Sequence, residues 1–231
     1  MNRTVVALVL AAVLFWPRRA SAETDPATQD FAPIQPQAED NPDAVPLSDE
    51  RVRPMSLPVD VNAFLYMIRA CEHRFPTDVV NDACYEIFFG GERFADLSDH
   101  PVITGELAPV ALPEAQCRAA GLKSPCYSTA AGAYQFIRPT WKRLRDKLGL
   151  DDFSFANQDR AALELLDESG VLDLIKEGEI ESAIRKAGKI WASLPGNTYQ
   201  QNPKAMRFAL DRFAEGQRLY AQASGELPPL P

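Results

Sequence analysis

Glu72 stands at the end of an apolar helical stripe, where a carboxyl group could serve as a proton donor. Four apolar residues at helical spacing share one face before it, namely Val61, Phe64, Leu65 and Ile68. Because Glu72 follows Ile68 by four residues, its side chain is expected at the end of the same buried face. An apolar cleft disfavours the carboxylate and raises its pKa, so Glu72 could protonate the leaving oxygen of a glycosidic bond. A solvated Glu72 paired with Arg69 or Arg74 is the alternative.

Two later segments could contact a sugar chain. From Ser128 to Gln135 the residues are mostly small, so the backbone could lie close to a bulky ligand and its N–H groups could bind sugar hydroxyls or acetamides. Within this segment Tyr134 offers a ring that could stack on a sugar, and Gln135 offers an amide with a donor and an acceptor. The second segment, residues 191–199, ends a helix and makes a turn that presents Tyr199. A plain turn leading into the next helix is the alternative for the first segment.

The first 22 residues are typical of a secretory signal peptide. Arg3 supplies a positive charge, Val5 to Trp16 is apolar, and Ala20-Ser21-Ala22 offers a cleavage site. The apolar run is shorter than a usual membrane span, although a short membrane anchor is the alternative. We therefore expect a periplasmic or secreted protein that has no stable membrane insertion after cleavage.

The rest of the chain divides into a linker, one domain and a tail. Residues 23–58 are rich in proline and acids and cannot bury enough apolar surface to fold, so they are predicted to be a disordered linker. Residues 59–224 are numerous enough for one independently stable domain, and 225–231 form a proline-rich tail. Removing 1–22, which holds three basic and no acidic residues, takes the formal charge from −8 to −11. This acidity argues against nucleic acid or anionic lipid as a partner.

The folded part is predicted to be α+β, with many helices and one small β element. The segment Tyr85–Phe94 contains a Gly-Gly pair between apolar residues and predicts a β-hairpin. Proline, serine and glycine signals and apolar spacing predict five later helices. They run from Pro139 to Gly149, from Ser154 to Gly170, briefly through Leu172 and Ile175, from Glu179 to Ala192, and from Asn202 onward. The chain has no H-E-x-x-H, G-x-S-x-G or Walker motif, so no metal or other cofactor is expected.

Four cysteines in an exported chain are typical of two disulfides. Spacing favours Cys71–Cys84 and Cys117–Cys126, because each pair closes a short loop, although three connectivities exist. Free buried thiols are the alternative. A disulfide at Cys71 would fix the chain next to Glu72, and it argues against a thiol nucleophile there. No C-x-x-C motif is present, which makes a zinc site a poor explanation.

Six landmarks in this order resemble the phage lambda endolysin-like family, lysozyme-like lytic transglycosylases of phages and their bacterial relatives. They are Ala63-Phe64-Leu65 followed by Glu72; Tyr85 with Gly90-Gly91-Glu92 and Phe94; Ser98-Asp99-His100-Pro101; Ser128-Thr129 with Gly132, Tyr134 and Gln135; Leu148-Gly149-Leu150 with Asp152-Phe153-Ser154; and Trp191 to Gly196. The resemblance spans about Val61 to Gly216. It implies a lysozyme-like fold with a glycan cleft between the hairpin side and the helical side.

The resemblance also implies roles for individual residues. Glu72 stands where the family has its catalytic glutamate. Tyr85 and Glu86 stand where it has an aromatic–acidic pair in the hairpin, and Gln135 and Tyr199 match positions similar to substrate contacts.

Three residues depart from the family pattern. His73 replaces a glycine after the catalytic position, Ala133 replaces an arginine, and Glu86 replaces an aspartate. None of them removes the acid, but they bear on the substrate subsites.

The implied reaction cleaves the bond between N-acetylmuramic acid and N-acetylglucosamine without water and leaves a 1,6-anhydro ring. The partner would be a peptidoglycan glycan strand, bound by a monomer. A hydrolytic muramidase is the first alternative, with a second carboxylate from Glu86, Glu92, Asp96 or Asp99. An inert peptidoglycan-binding protein is the second, and the departures at His73 and Ala133 favour it.

Overall fold

The computed structural model describes residues 57–197 and 203–225. The predicted signal peptide, nearly all of the predicted linker and tail, and Tyr199 lie outside the described residues. Within the two described ranges, no helix is long and apolar enough to span a bilayer.

The described residues form nine α-helices, one 3-10 helix and one two-stranded sheet. In chain order they are α1 (Val59–Glu72), α2 (Pro76–Val80), the 3-10 helix (Ala83–Glu86), α3 (Pro101–Thr104), β1 (Val110–Ala111), α4 (Glu114–Ala119), β2 (Tyr127–Ser128), α5 (Arg138–Leu148), α6 (Phe155–Glu168), α7 (Val171–Lys176), α8 (Ile180–Ala187) and α9 (Met206–Ala223). The predicted α+β class, mostly helical with a small β element, is confirmed.

The first helix, α1, is the centre of the domain. Every residue from Val61 to Cys71 is buried, not only one face as its apolar stripe indicated. Helices α2, α6, α7 and α9 surround it, and α9 packs along it most closely. Gly216 of α9 makes this approach possible, because a Cβ atom there would lie 2.9 Å from Cα of Ala63. A central helix covered on all sides also buries its polar residues, which determines the chemistry at its C-terminal end.

The local signals for α5 and α6 predict their positions well. Helix α5 carries Pro139 in its first turn and ends at Gly149, which adopts φ of 61°. Ser154 directly precedes α6, as expected. Helix α8 was predicted to reach Ala192 but ends at Ala187. The reason is a turn that folds back onto Gly188, where a Cβ atom would lie 2.5 Å from the Pro195 carbonyl oxygen.

The predicted hairpin at Tyr85–Phe94 is reduced to a tight loop with a single bridge between Ile87 and Arg93. Tyr85 belongs to the 3-10 helix instead. Phe88 also bridges to Ala131, so the loop pairs with a neighbouring turn rather than extending its own ladder. The antiparallel sheet lies elsewhere, between β1 and β2, with Val110 opposite Ser128 and Ala111 opposite Tyr127.

One of the two predicted disulfides is present. Cys117 and Cys126 are joined, with their Cα atoms 5.8 Å apart. The predicted Cys71–Cys84 bond is wrong, because both residues are free and buried. Burial raises the pKa of each thiol to about 12, so neither is reactive near neutral pH.

The two free thiols have different neighbours. The Cys71 sulfur lies 3.9 Å from Sδ of Met67, within α1. Among charged groups, Glu72 has the largest effect on the pKa of Cys71. For Cys84, in the 3-10 helix, the charged group with the largest effect on the pKa is Arg69. Loop length indicates that two cysteines can meet but not where their side chains point. The position of Glu72 therefore does not depend on a disulfide.

We expect Gly216→Ala to destabilise the fold by about 1–3 kcal/mol, because the new methyl group overpacks the contact between α9 and α1. Urea unfolding followed by circular dichroism measures the change. In an uncrowded helix the same substitution would stabilise by up to about 1 kcal/mol through helix propensity. A Gly216→Ala variant that is more stable than the wild type would contradict the described packing.

Candidate active site

Glu72 is the last residue of α1, and its carboxyl group is held inside the protein. Ser193 donates a hydrogen bond from its hydroxyl group to Oε1 of Glu72. Oε2 is buried and has no hydrogen-bond partner among the residues that the structure describes. The residue as a whole keeps partial exposure. One oxygen is thus fixed, and the other is left for a reacting group.

Burial raises the pKa of Glu72 to about 8, and this is the largest influence on it. The hydrogen bond from Ser193 and the positive charge of Lys204 both lower the pKa, but they offset only part of the rise. At pH 7 the group is therefore mostly a neutral acid that can give up a proton. The expected burial of Glu72 at the end of the stripe is confirmed.

Ser193 reaches Glu72 from a turn after α8. Its side chain is 1% exposed, and its backbone oxygen accepts a hydrogen bond of 2.8 Å from the Lys204 backbone N–H. Trp191 anchors the same turn, since its indole Nε1 donates to the Tyr134 carbonyl oxygen over 3.1 Å. The turn is therefore fixed on both sides before it presents the hydroxyl group to the acid.

Lys204 lies next to this turn, just before α9. Its ammonium group is 5.2 Å from the centroid of the Phe208 ring, a distance that allows a cation–π contact. Sequence reasoning missed both Ser193 and Lys204. The run from Trp191 to Gly196 was a signal for Ser193, but it did not reveal which residue faces Glu72. Lys204 had no signal in the sequence.

Tyr85 and Tyr134, predicted as sugar contacts, are core residues in the structure. Their side chains are 4% and 0% exposed. Both hydroxyl groups donate to Oδ1 of Asp159, over 2.6 and 2.5 Å, and Nη1 of Arg69 donates to both, over 3.1 and 3.0 Å. Arg69 is buried in α1, so its charge needs these oxygens as partners. The two rings therefore have no free face for a sugar, and this part of the prediction is wrong.

Gln135 is also engaged internally. It adopts φ of +49°, and its amide nitrogen donates to the backbone oxygens of Gly132 and Ile87 over 3.0 and 3.1 Å. These bonds fix the turn from Gly132 to Gln135 and use the amide donors that the prediction assigned to a sugar. A contact through the amide oxygen stays a prediction.

Ser128, predicted as a sugar contact, lies in β2 and makes a local hydrogen bond instead. It is 3% exposed, and its hydroxyl oxygen accepts a hydrogen bond of 3.3 Å from the Ala130 backbone N–H. It also lines a mainly apolar cavity of about 600 Å³ with Leu112, Leu122 and Tyr127, next to the disulfide-bonded segment. The hydroxyl group thus stabilises a turn, and no described hydrogen bond connects it to Glu72.

The candidate second carboxylates differ in how free they are. Asp99 accepts hydrogen bonds from Nε1 of Trp141 and from Arg145, which makes it part of the scaffold. Asp96 accepts from the Ser98 backbone N–H over 2.9 Å. Glu92 is exposed and Glu86 is half-buried.

The departures His73 and Ala133 contact each other. Nε2 of His73 lies 3.1 Å from the Ala133 carbonyl oxygen. Burial lowers the pKa of His73 to about 4, so its ring is neutral at pH 7 and its N–H group donates to this oxygen. Gln158 holds the other side, where its Oε1 accepts from the Ala133 backbone N–H over 2.9 Å. His73 is thus anchored to the backbone of residue 133, and the Glu72 carboxyl group keeps its contact with Ser193.

Comparison with known proteins agrees with this geometry. A family described as Endolysin matches residues 62–225. The chain is 39% identical to the endolysin of Escherichia phage lambda over 131 residues, which cover 57% of this chain and 73% of that one. It is 37% identical to the endolysin of Escherichia phage P2 over 152 residues, covering 64% and 86%. The solved structure of lambda lysozyme with a chitohexasaccharide is similar, with a TM-score of 0.56, 32% identity, and coverage of 69% and 95%.

We expect Ser193→Ala to raise the pKa of Glu72 further above about 8, by roughly one pH unit, because a hydrogen bond that stabilises the carboxylate is lost. A carbon-detected NMR titration of the Glu72 carboxyl group measures the value directly. Ser182→Ala, at an exposed serine of α8, is the matched control and should leave the pKa unchanged. An unchanged or lowered pKa in Ser193→Ala would show that the hydroxyl group does not donate to Glu72.

Proposed function

The chain belongs to the endolysin family of lysozyme-like, peptidoglycan-degrading enzymes, and we propose that it is a lytic transglycosylase with Glu72 as its catalytic acid and base. The observation that carries the proposal is the buried Glu72 carboxyl group, whose pKa of about 8 keeps it protonated and whose Oε2 has no partner in the described part of the chain.

The reaction needs only one carboxyl group. Glu72 gives its proton to the oxygen between N-acetylmuramic acid and N-acetylglucosamine, and the bond from that oxygen to C1 of the muramyl ring breaks. Positive charge develops at C1 in an oxocarbenium-like state. The Glu72 carboxylate then takes the proton from the muramyl 6-hydroxyl group, whose oxygen bonds to C1 and closes the 1,6-anhydro ring. The proton returns to Glu72, and no water is consumed.

The state of the other carboxylates supports this route over hydrolysis. A water-using glycosidase generally needs a second carboxylate as base or nucleophile. Asp99 is occupied by Trp141 and Arg145, and Asp96 is exposed and accepts a hydrogen bond from the Ser98 backbone. Glu86 remains as the best candidate for a muramidase, because it is half-buried and has no described side-chain partner. Hydrolysis is therefore the second proposal.

An inert binding protein is less well supported. The side chain of His73 is held by the backbone oxygen of Ala133, and the acid keeps both its burial and its partner Ser193. The lambda relative has been solved with a chitohexasaccharide, which supports a glycan as the ligand of this chain too. We further propose that the enzyme acts in the periplasm or outside the cell, as a monomer on peptidoglycan strands, after removal of residues 1–22.

We expect the mature protein to release muropeptides from purified peptidoglycan that are lighter by one water than hydrolytic products. Glu72→Gln should release none, because an amide cannot donate a proton and then act as a base. Mass spectrometry of the products checks both statements. Glu164→Gln, at a surface ion pair with Lys147, is the control and should remain active. Products with reducing ends would identify a muramidase, and release by Glu72→Gln would exclude Glu72 as the acid.

We expect the rate of release to fall as the pH rises through about 8, because Glu72 then loses the proton that the first step needs. Below that value Glu72 stays protonated, so its titration should not limit the rate there. Initial rates of turbidity loss at constant ionic strength measure the profile. A rate that already falls near pH 4.5, where an ordinary glutamate deprotonates, would contradict the raised pKa.

A further inference from the structure

Lys204 is a cation close to the candidate acid, and it has no anionic partner among the described residues. In the described ranges, 57–197 and 203–225, no carboxylate forms an ion pair with it. Its ammonium group lies over the Phe208 ring, and the guanidinium of Arg212 also lies over this ring, at 5.5 Å. Arg212 differs, since Glu215 pairs with it over 2.6 Å. Of the two described cations over the Phe208 ring, the half-buried Lys204 is therefore the one open to an external anion.

Backbone contacts connect Lys204 to the acid. Its N–H group donates to the carbonyl oxygen of Ser193, whose hydroxyl group donates to Glu72. The Lys204 charge is also near enough to act on both Glu72 and Cys71. Helix α9 begins two residues later, with no acidic residue in its first turn and no side-chain cap, so its N-terminal end adds to the positive potential.

The acid itself points to a ligand at this place. Oε2 of Glu72 is buried without a partner among the described residues, although a buried polar atom normally has one. Lys204 adjoins Ser193, which holds Oε1 of the same carboxyl group, so a glycan at Oε2 has this cation in its neighbourhood. The feature that distinguishes a muramyl residue from N-acetylglucosamine is its 3-O-lactyl group, which ends in a carboxylate or carries a peptide that has carboxylates. Chitin oligosaccharides have no such group.

We propose that Lys204 binds a carboxylate of the muramyl substituent and so makes the site prefer peptidoglycan to neutral glycans. This inference rests on the proposed function and adds the residue that selects the substrate. Two sources have the same chemistry, the lactyl carboxylate itself and a carboxylate of the attached peptide.

Binding of an anion at Lys204 also acts on the acid. The Lys204 charge lowers the pKa of Glu72, and a carboxylate beside Lys204 offsets that charge. The pKa of Glu72 then rises, which favours the protonated acid when a muramyl residue is in place. A neutral glycan has no such effect.

The test measures the binding of three ligands to the full mature chain. The chain carries Glu72→Gln so that the ligands bind without being cleaved. The ligands are glycan strands stripped of peptide, peptide-bearing strands, and chitohexaose as the neutral ligand. Lys204→Met in this background should weaken binding to at least one anionic strand by about tenfold or more, the usual size for a charge-assisted contact. The same variant should change the dissociation constant for chitohexaose by less than about twofold. The matched control is Lys142→Met, at an exposed lysine of α5.

Each outcome has a distinct meaning. Weaker binding of stripped strands identifies the lactyl carboxylate, and weaker binding of peptide-bearing strands alone identifies the peptide. Lys204→Arg should restore the preference, which a purely structural role would not predict. Equal losses for chitohexaose and the anionic strands, or no loss for any ligand, would overturn the proposal. Muropeptide release by the protein with intact Glu72 tests the proposed function separately, so the two can fail independently.

Discussion

The burial of α1 on every side determines which ionisable groups near its C-terminal end are charged and which are neutral. Arg69 and Glu72 lie one turn apart on this helix, and the guanidinium of the first and the carboxyl group of the second are buried. The protein stabilises the Arg69 charge with oxygens from Tyr85, Tyr134 and Asp159. It gives Glu72 a single donor and leaves one oxygen without a partner in the described part of the chain. Arg69 is thus held as an ion, whereas Glu72 is held as a neutral acid, as proton donation requires.

A second constraint is the turn that follows α8. Gly188 allows this turn to fold back closely, and the indole of Trp191 attaches it to the segment that carries Tyr134. The turn therefore connects the aromatic cluster around Arg69 with the hydroxyl group of Ser193. The cluster that neutralises the buried cation thus also orients the partner of the acid, which explains why residues far apart in sequence form one site.

Local features of the sequence predicted the parts of the structure that depend on neighbouring residues. Apolar spacing placed Glu72 at the end of a buried helix, and Pro139 and Gly149 marked the ends of α5. These signals act within a few residues, so no tertiary information is needed to interpret them.

The missed features depend on contacts between distant segments. Tyr134 resembled a sugar contact because spacing does not show that Arg69, 65 residues earlier, requires its oxygen. Ser193 is 121 residues from Glu72, and a single serine in a turn has no pattern of its own. The Cys71–Cys84 disulfide was wrong for a related reason, because the distance along the chain does not define the direction of a thiol.

Folding is coupled to proton uptake at Glu72 and to proton release at His73 and His100. In an unfolded chain the acid titrates near 4.5 and the histidines near 6.5, whereas burial moves them to about 8 and about 4. Between pH 4.5 and 6.5 the folded state holds one proton at Glu72, whereas the unfolded state holds two at the histidines. Because the unfolded state binds more protons, the free energy of unfolding increases with pH in this range. Between 6.5 and 8 only Glu72 differs, and its contribution to stability declines as the pH rises. The stability linked to Glu72 is therefore lost by about pH 8, the same pH at which the folded acid gives up the proton that it donates.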